Sequence, residues 1–129
     1  MADRVERGKE IQRESLGKSA DERMDFWNEI SPVHARAIYE YCWGTIWDQP
    51  LLDRKTRELV VLAAKAAQDL SGEVELSVRG AMNNGATGDE IIEAIVQCAP
   101  YIGFPKTNHA LKVAKQVIDG WDEHDEWKP

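Results

Sequence analysis

The 129-residue sequence predicts an all-α, single-domain bundle of about six or seven helices. Three observations lead there. No segment sustains apolar/polar alternation, apolar residues recur three and four apart, and helix start and stop signals punctuate the chain throughout. One domain is expected over residues 1–129, with its core at about 20–118 and an acidic, tryptophan-bearing, peripheral tail at 119–129.

A first helix, charged and weakly amphipathic, is predicted from about Arg4 to Leu16, stopping near Gly17. Ser19-Ala20-Asp21-Glu22 has capping-box form, in which a serine oxygen accepts from an orphan amide and a glutamate three residues on reaches back. It opens a second helix carrying Met24, Trp27 and Ile30. Ser31-Pro32 starts a third, running to about Trp43 and burying Ala35, Ile38 and Cys42, because proline at the first helical position loses nothing by lacking an N–H. A loop through Gly44 and Gln49-Pro50 leads to Asp53, an N-cap for a helix from Arg54 to about Gln68 with Leu59, Leu62, Ala63 and Ala66 on one face. Ser71 is read as the cap of the next, which carries Val74, Val78 and Ala81 and ends at Asn83-Asn84-Gly85, residues that tolerate a left-handed backbone. Thr87-Gly88-Asp89-Glu90 is a second capping box, before Ile91, Ile92, Ile95 and Val96. Pro100 is expected to kink or end that helix. Phe104-Pro105 opens a last helix to about Ile118, with Ala110, Val113, Ala114 and Val117 inward.

The charge balance excludes whole classes of partner. With 16 Lys+Arg against 23 Asp+Glu, a net charge of −7 and no basic run interleaved with aromatics, nucleic acids and anionic membranes are discounted. The N-terminal residues are too charged for a secretory signal, and no stretch approaches the roughly 18 to 20 apolar residues of a membrane span, so a cytoplasmic protein is expected. Cys42 and Cys98 lie far apart without a second Cys or His at metal-ligand spacing. Neither a metal site nor a CxxC redox centre is expected, and each cysteine is read as a small buried hydrophobe. A domain this small buries only about two thirds of its unfolded surface, and oligomer formation is a natural way to cover the surplus.

Three stretches in order resemble the carboxymuconolactone decarboxylase family. They are Tyr41-Cys42-Trp43-Gly44-Thr45-Ile46-Trp47 with Leu52-Asp53-Arg54-Lys55-Thr56-Arg57-Glu58-Leu59, then Val78-Arg79-Gly80-Ala81-Met82-Asn83-Asn84-Gly85-Ala86-Thr87, then Tyr101-Ile102-Gly103-Phe104-Pro105 with Asn108-His109-Ala110-Leu111. The resemblance implies an all-α fold of the alkyl hydroperoxidase D kind, homo-oligomers commonly trimeric or hexameric, and chemistry with no metal or organic cofactor. The peroxidase branch of that kinship needs a nucleophilic thiolate and a resolving cysteine. Ser71-Gly72-Glu73-Val74-Glu75-Leu76-Ser77, where the pair would lie, contains no sulfur, so that branch is rejected.

The family usually carries a histidine two residues before the Arg-Gly-Ala stretch, and here that position is Ser77. A serine donates a hydrogen bond but holds no proton in reserve at neutral pH. The acid/base role then falls to His109 or Glu58. Lys106 and His109, at i and i+3, share a helix face and present a cation and an imidazole together, or else Lys106 is solvated and His109 packs at the boundary beside Val113. Glu58 lies beside Leu59 and Leu62, where partial burial raises its pKa, or else it is exposed and paired with Arg54 or Arg57. Arg79 holds a substrate carboxylate by its fork, or pairs with Glu75. Tyr39, Trp43 and Trp47 make a stripe suited to core or interface, with Trp43 the one placed to stack on a flat unsaturated ring.

The catalytic candidates are therefore His109, Glu58 and Ser77, and the substrate-binding candidates Trp43, Arg79, Lys106 and Asn108. What the resemblance implies is a cofactor-independent carboxy-lyase acting on 4-carboxymuconolactone or a related small cyclic acid in aromatic catabolism. The alternatives are another cofactor-free lyase or isomerase, and a non-catalytic binding protein.

Overall fold

Helix α5 (Ser71–Asn83) stands between two clusters of buried side chains in the computed structural model, which describes residues 3–129. Around it are α1 (Arg4–Leu16), α2 (Ser19–Ile30), α3 (Pro32–Ala37) continued by a π-helix (Ile38–Ile46), α4 (Arg54–Ala67), α6 (Gly88–Ile102) and α7 (Phe104–Gly120), with short 3-10 turns at Trp121–Glu123 and Asp125–Trp127. The fold is all-helical, as the periodicity predicts, and no strand occurs among the described residues.

Several helix starts follow from local chemistry. Asp53 accepts from the Thr56 amide at 2.7 Å, Ser31 accepts from the His34 amide with Pro32 next in line, and Thr87 and Glu90 close a reciprocal capping box. Two others differ from expectation. Ser19 and Ser71 are already helical, and neither helix has a side-chain cap. The Ser19 hydroxyl donates back to the Leu16 carbonyl instead, because the chain turns from α1 into α2 with almost no linker. α6 also runs two residues past Pro100 before Gly103, at φ 90, ends it. A proline this close to an exposed helix end removes a bond whose carbonyl partner water can satisfy.

The two faces of α5 build the two clusters. Val74, Val78 and Ala81 pack with Leu62 and Ala66 of α4, Ile91 and Ile95 of α6, and Ala110, Ala114 and Val117 of α7. Leu76, on the other side, packs with Ile11, Leu16, Ala20, Trp43 and Trp47. Both chain ends join these clusters, which the sequence pattern did not suggest. α1 buries Ile11, Gln12, Ser15 and Leu16. In the tail, Trp127 is only 8 % exposed and packs into the first cluster. The Asn83 amide donates to both the Ser15 and Trp127 carbonyls, at 2.6 and 2.7 Å, and so ties the two ends to α5.

α1 and the π-helix cross backbone to backbone. A Cβ on Gly8 would overlap the Tyr39 carbonyl, and one on Gly44 would overlap the Arg4 carbonyl. The Arg4 guanidinium donates to the Gly44 carbonyl at 3.0 Å and Arg7 pairs with Asp48, which closes the crossing on one side. Gly44 therefore does not end a helix. It sits inside a wide π turn that carries the chain on to Trp47 and lets Trp43 and Trp47 stack, centroids 4.6 Å apart. Gly44→Ala is expected to lower the unfolding free energy by about 1–3 kcal/mol, the scale of forced overpacking. Gly72→Ala, where an added Cβ meets nothing, is expected to leave stability unchanged or raise it by up to about 1 kcal/mol. Equal effects of the two substitutions in urea unfolding would contradict the close crossing.

Candidate active site

Between α1, α2, the π-helix, α4 and α5 lies a cavity of about 250 Å³. α4 presents Glu58, Val61 and Lys65 to it, positions i, i+3 and i+7 on one helical stripe. α5 presents Glu73, Leu76 and Ser77, while Arg23, Met24 and Trp27 come from α2 and Gln12 and Leu16 from α1. The widened turns of the π-helix bring Ile38, Cys42 and Trp43 to the same space, with Trp47 just beyond its end. Such π segments are uncommon and recur at functional sites.

Glu58 is the defining group of this cavity. It is 2 % exposed and accepts no hydrogen bond from any described residue. Its carboxyl lies against the backbone of α5 at Gly80, where any Cβ would overlap all three carboxyl atoms. Desolvation pushes its pKa from the ordinary 4.5 up to about 8, with the charges of Lys65 and Arg54 pulling weakly the other way. The two arginines that might have neutralised it are engaged elsewhere. Arg54 pairs with Glu14, and Arg57 donates to the Ile46 carbonyl at the end of the π-helix and to the Gln49 and Leu52 carbonyls of the loop after it. At neutral pH Glu58 is thus mostly a neutral carboxylic acid facing a small, largely apolar space.

Two more buried polar groups line the cavity without side-chain hydrogen-bond partners among the described residues, Gln12 at 3 % exposure and Ser77 at 2 %. Glu58, Gln12 and Ser77 thus bring three deeply buried polar side chains to a single cavity, where a bound ligand can meet them. Cys42, half-buried rather than fully buried, keeps its thiol protonated because burial outweighs the opposing effects of the Lys65 charge and the Trp47 contact.

The candidates from the sequence separate into two groups. Glu58, Ser77 and Trp43 meet at the cavity. His109, Lys106 and Asn108 are exposed on α7 and do not line it. Lys106 donates to the Ala67 carbonyl at 3.1 Å and His109 Nδ1 sits 2.9 Å from Asp69, so their shared helix face ties α7 to the end of α4. Arg79 pairs with Glu75 at 2.6 Å, lies 4.2 Å over the Trp127 ring, and faces a neighbouring open cleft. Sequence reasoning missed Gln12, Arg23, Lys65 and Glu73. Only Lys65 left a signal, as a charge seven residues after Glu58 on the same stripe. Among the described residues no cluster of three or more His, Cys, Asp or Glu is placed to hold a metal ion, and no helix is long and apolar enough to cross a membrane.

The family model described as the carboxymuconolactone decarboxylase family matches residues 32–116, from α3 to α7, including Trp43, Glu58 and Ser77. The chain belongs to the carboxymuconolactone decarboxylase family. It is 34% identical over 116 residues to 4-carboxymuconolactone decarboxylase of Acinetobacter baylyi, covering 89% of this chain and 87% of that one. It is 41% identical over 91 residues to nitrosuccinic acid decarboxylase of Metarhizium robertsii, covering 70% of this chain and 64% of that one. A third relative is an uncharacterized 15.0 kDa protein of Paracoccus denitrificans, 33% identical over 97 residues and covering 74% of this chain and 72% of that one. Two relatives named as decarboxylases support carboxy-lyase activity for this family member.

A carboxyl with a raised folded-state pKa leaves a signature in stability. Its contribution is fully present below about 4.5, declines as pH rises because the unfolded chain ionises first, and is lost once pH passes about 8. Glu58→Gln removes that dependence. The variant should match the parent in urea below pH 4.5 and become progressively more stable than it up to about pH 8, by several kcal/mol at about 1.4 kcal/mol per tenfold change in proton affinity. A stability difference that does not change with pH would show that Glu58 titrates normally.

Proposed function

We propose that this chain removes carbon dioxide from a small organic acid, with Glu58 as the acid that protonates the carbanion left behind. The observation that carries this reading is a buried carboxylic acid, its pKa raised by desolvation, in a cavity that the buried Gln12 and Ser77 also line. When the C–C bond to a carboxylate breaks, its electron pair must be delocalised. In a butenolide it passes through the ring alkene onto the lactone carbonyl, so the substrate itself is the electron sink. The largely apolar wall of the cavity disfavours the carboxylate more than neutral carbon dioxide, and a hydroxyl such as that of Ser77 donates to the developing enolate oxygen. Glu58 then gives its proton to carbon and regains one from water. Trp43, stacked on Trp47, offers a flat wall for an unsaturated ring.

4-Carboxymuconolactone is the first substrate to test, because the relative bearing that name covers most of this chain. A second reading, an acid bearing a nitro group, draws on the 41% identical relative named for nitrosuccinic acid, since a nitronate stores the same electron pair. Assembly as a homo-oligomer, trimer or hexamer, completes the proposal. Val33, Leu51, Tyr101 and Phe104 support it, each more than two thirds exposed and in need of cover.

Carbon dioxide release from the lactone and from nitrosuccinate tests the two readings directly. Glu58→Gln is expected to lower kcat by about 10²–10⁴-fold on the true substrate, the range of a lost general acid. His109→Ala is expected to retain activity within about twofold, since it lies outside the cavity. A Glu58→Gln enzyme of full activity would overturn the assignment. Because the acid must carry its proton, kcat should hold at neutral pH and fall as pH rises through about 8.

A further inference from the structure

Arg23, Glu73 and Leu76 line both the cavity and an open cleft beside it, so they stand where the two spaces join. Here the Glu73 carboxylate lies between two cations. Lys65 Nζ is 3.6 Å from one of its oxygens and an Arg23 guanidinium nitrogen is 3.7 Å from the other. Both separations exceed good hydrogen-bond length, and ion pairs of this kind between partly exposed groups are weak and easily exchanged. Neither cation has another hydrogen-bond or ion-pair partner among the described residues. Lys65 stands out further because its side chain is only 22 % exposed and lies on the same stripe as Glu58.

We propose that Arg23 and Lys65 form a subsite for a second carboxylate, one the substrate keeps through the reaction, and that Glu73 occupies it until substrate arrives. The proposal rests on the decarboxylation put forward above, whose two candidate substrates are both dicarboxylic acids, and assigns the residues that hold the carboxylate not lost. The carboxylate that leaves sits deep in the cavity, and the one that stays is held at the entrance. The spacing suits this, since seven residues of α4 place Lys65 about 10 Å along the axis from Glu58, within reach of a short diacid once the lysine stem bends inward. The first turn of α5, which no side chain caps, opens on the same cleft through Ser71, Gly72 and Glu73, adding backbone N–H groups that favour an anion. On a chain of net charge −7, with Glu22, Asp69 and Glu75 also lining the cleft, Arg23 and Lys65 are the cations that give a doubly negative substrate somewhere to dock.

Binding of unreactive probes separates this subsite from the chemistry. Adipate and its monomethyl ester have nearly the same length and differ by one charge, and each can be titrated calorimetrically into the full-length protein at pH 7. The expected result is adipate at least tenfold tighter than the ester. Lys65→Met and Arg23→Met should each abolish that preference, while Glu73→Gln should tighten adipate severalfold by removing its competitor. Equal affinities for diacid and ester, or a preference unchanged in both cation variants, would overturn the subsite and leave the Glu58 turnover test standing. Should Lys65→Met fail to fold, Arg23→Met, on the more exposed α2, gives the same readout.

Discussion

A carboxyl group with no hydrogen-bond partner among the described residues, pressed against the backbone of a neighbouring helix at Gly80, is the constraint around which this protein is arranged. Burying Glu58 is unfavourable whichever form it takes, since the ionised form loses its hydration and the neutral form leaves polar atoms unpaired. The rest of the helical core must offset that cost. The α5 face bearing Val74, Val78 and Ala81 does so by packing against α4, α6 and α7, and leaves the adjoining face, with Glu73, Leu76 and Ser77, to line a cavity. The Gly8–Gly44 crossing draws α1 and the π-helix together tightly enough to wall the other side. The core and the cavity thus occupy adjoining faces of the same two helices, α4 and α5.

On the proposed reading, a serine can stand at position 77, where the family resemblance implies a histidine. Imidazole provides an acid near neutrality through its ordinary pKa, and Ser77 cannot. Burial gives Glu58 the same property by another route, raising a carboxyl to about 8 and so into the working range of a general acid. On this account the acid and the hydrogen-bond donor sit on facing helices, Glu58 on α4 and Ser77 on α5, both at one cavity. Lys65 then has two effects. Its charge restrains the rise of the Glu58 pKa, and its ammonium helps form the entrance.

Much of the fold was legible because it is written locally. Asp53, Ser31-Pro32 and the Thr87 to Glu90 box announce helix starts through bonds between near neighbours, and apolar spacing of three and four marks the inward faces. The π-helix was not legible, since its extra residue per turn answers to the close approach of α1 rather than to a local signal. The burial of Trp127 depends likewise on Asn83 gathering the distant Ser15 and Trp127 carbonyls. At the site, family motifs drew attention to Glu58, Ser77 and Trp43. They drew equal attention to His109 and Lys106, whose neighbours at the end of α4 are remote in sequence. Gln12 and Arg23 carry no pattern that sets them apart from the other polar residues of two charged helices.

The protonation of Glu58 itself is the most direct test. With glutamate carboxyl carbons labelled with carbon-13 and the Glu58 signal assigned by its loss in Glu58→Gln, a pH titration of the intact protein reads that group alone. The account predicts a midpoint near 8, well separated from the protein's exposed glutamates. A midpoint in the ordinary range near 4.5 would mean that water or a cation reaches the carboxyl, and the neutral acid on which the chemistry depends would not exist.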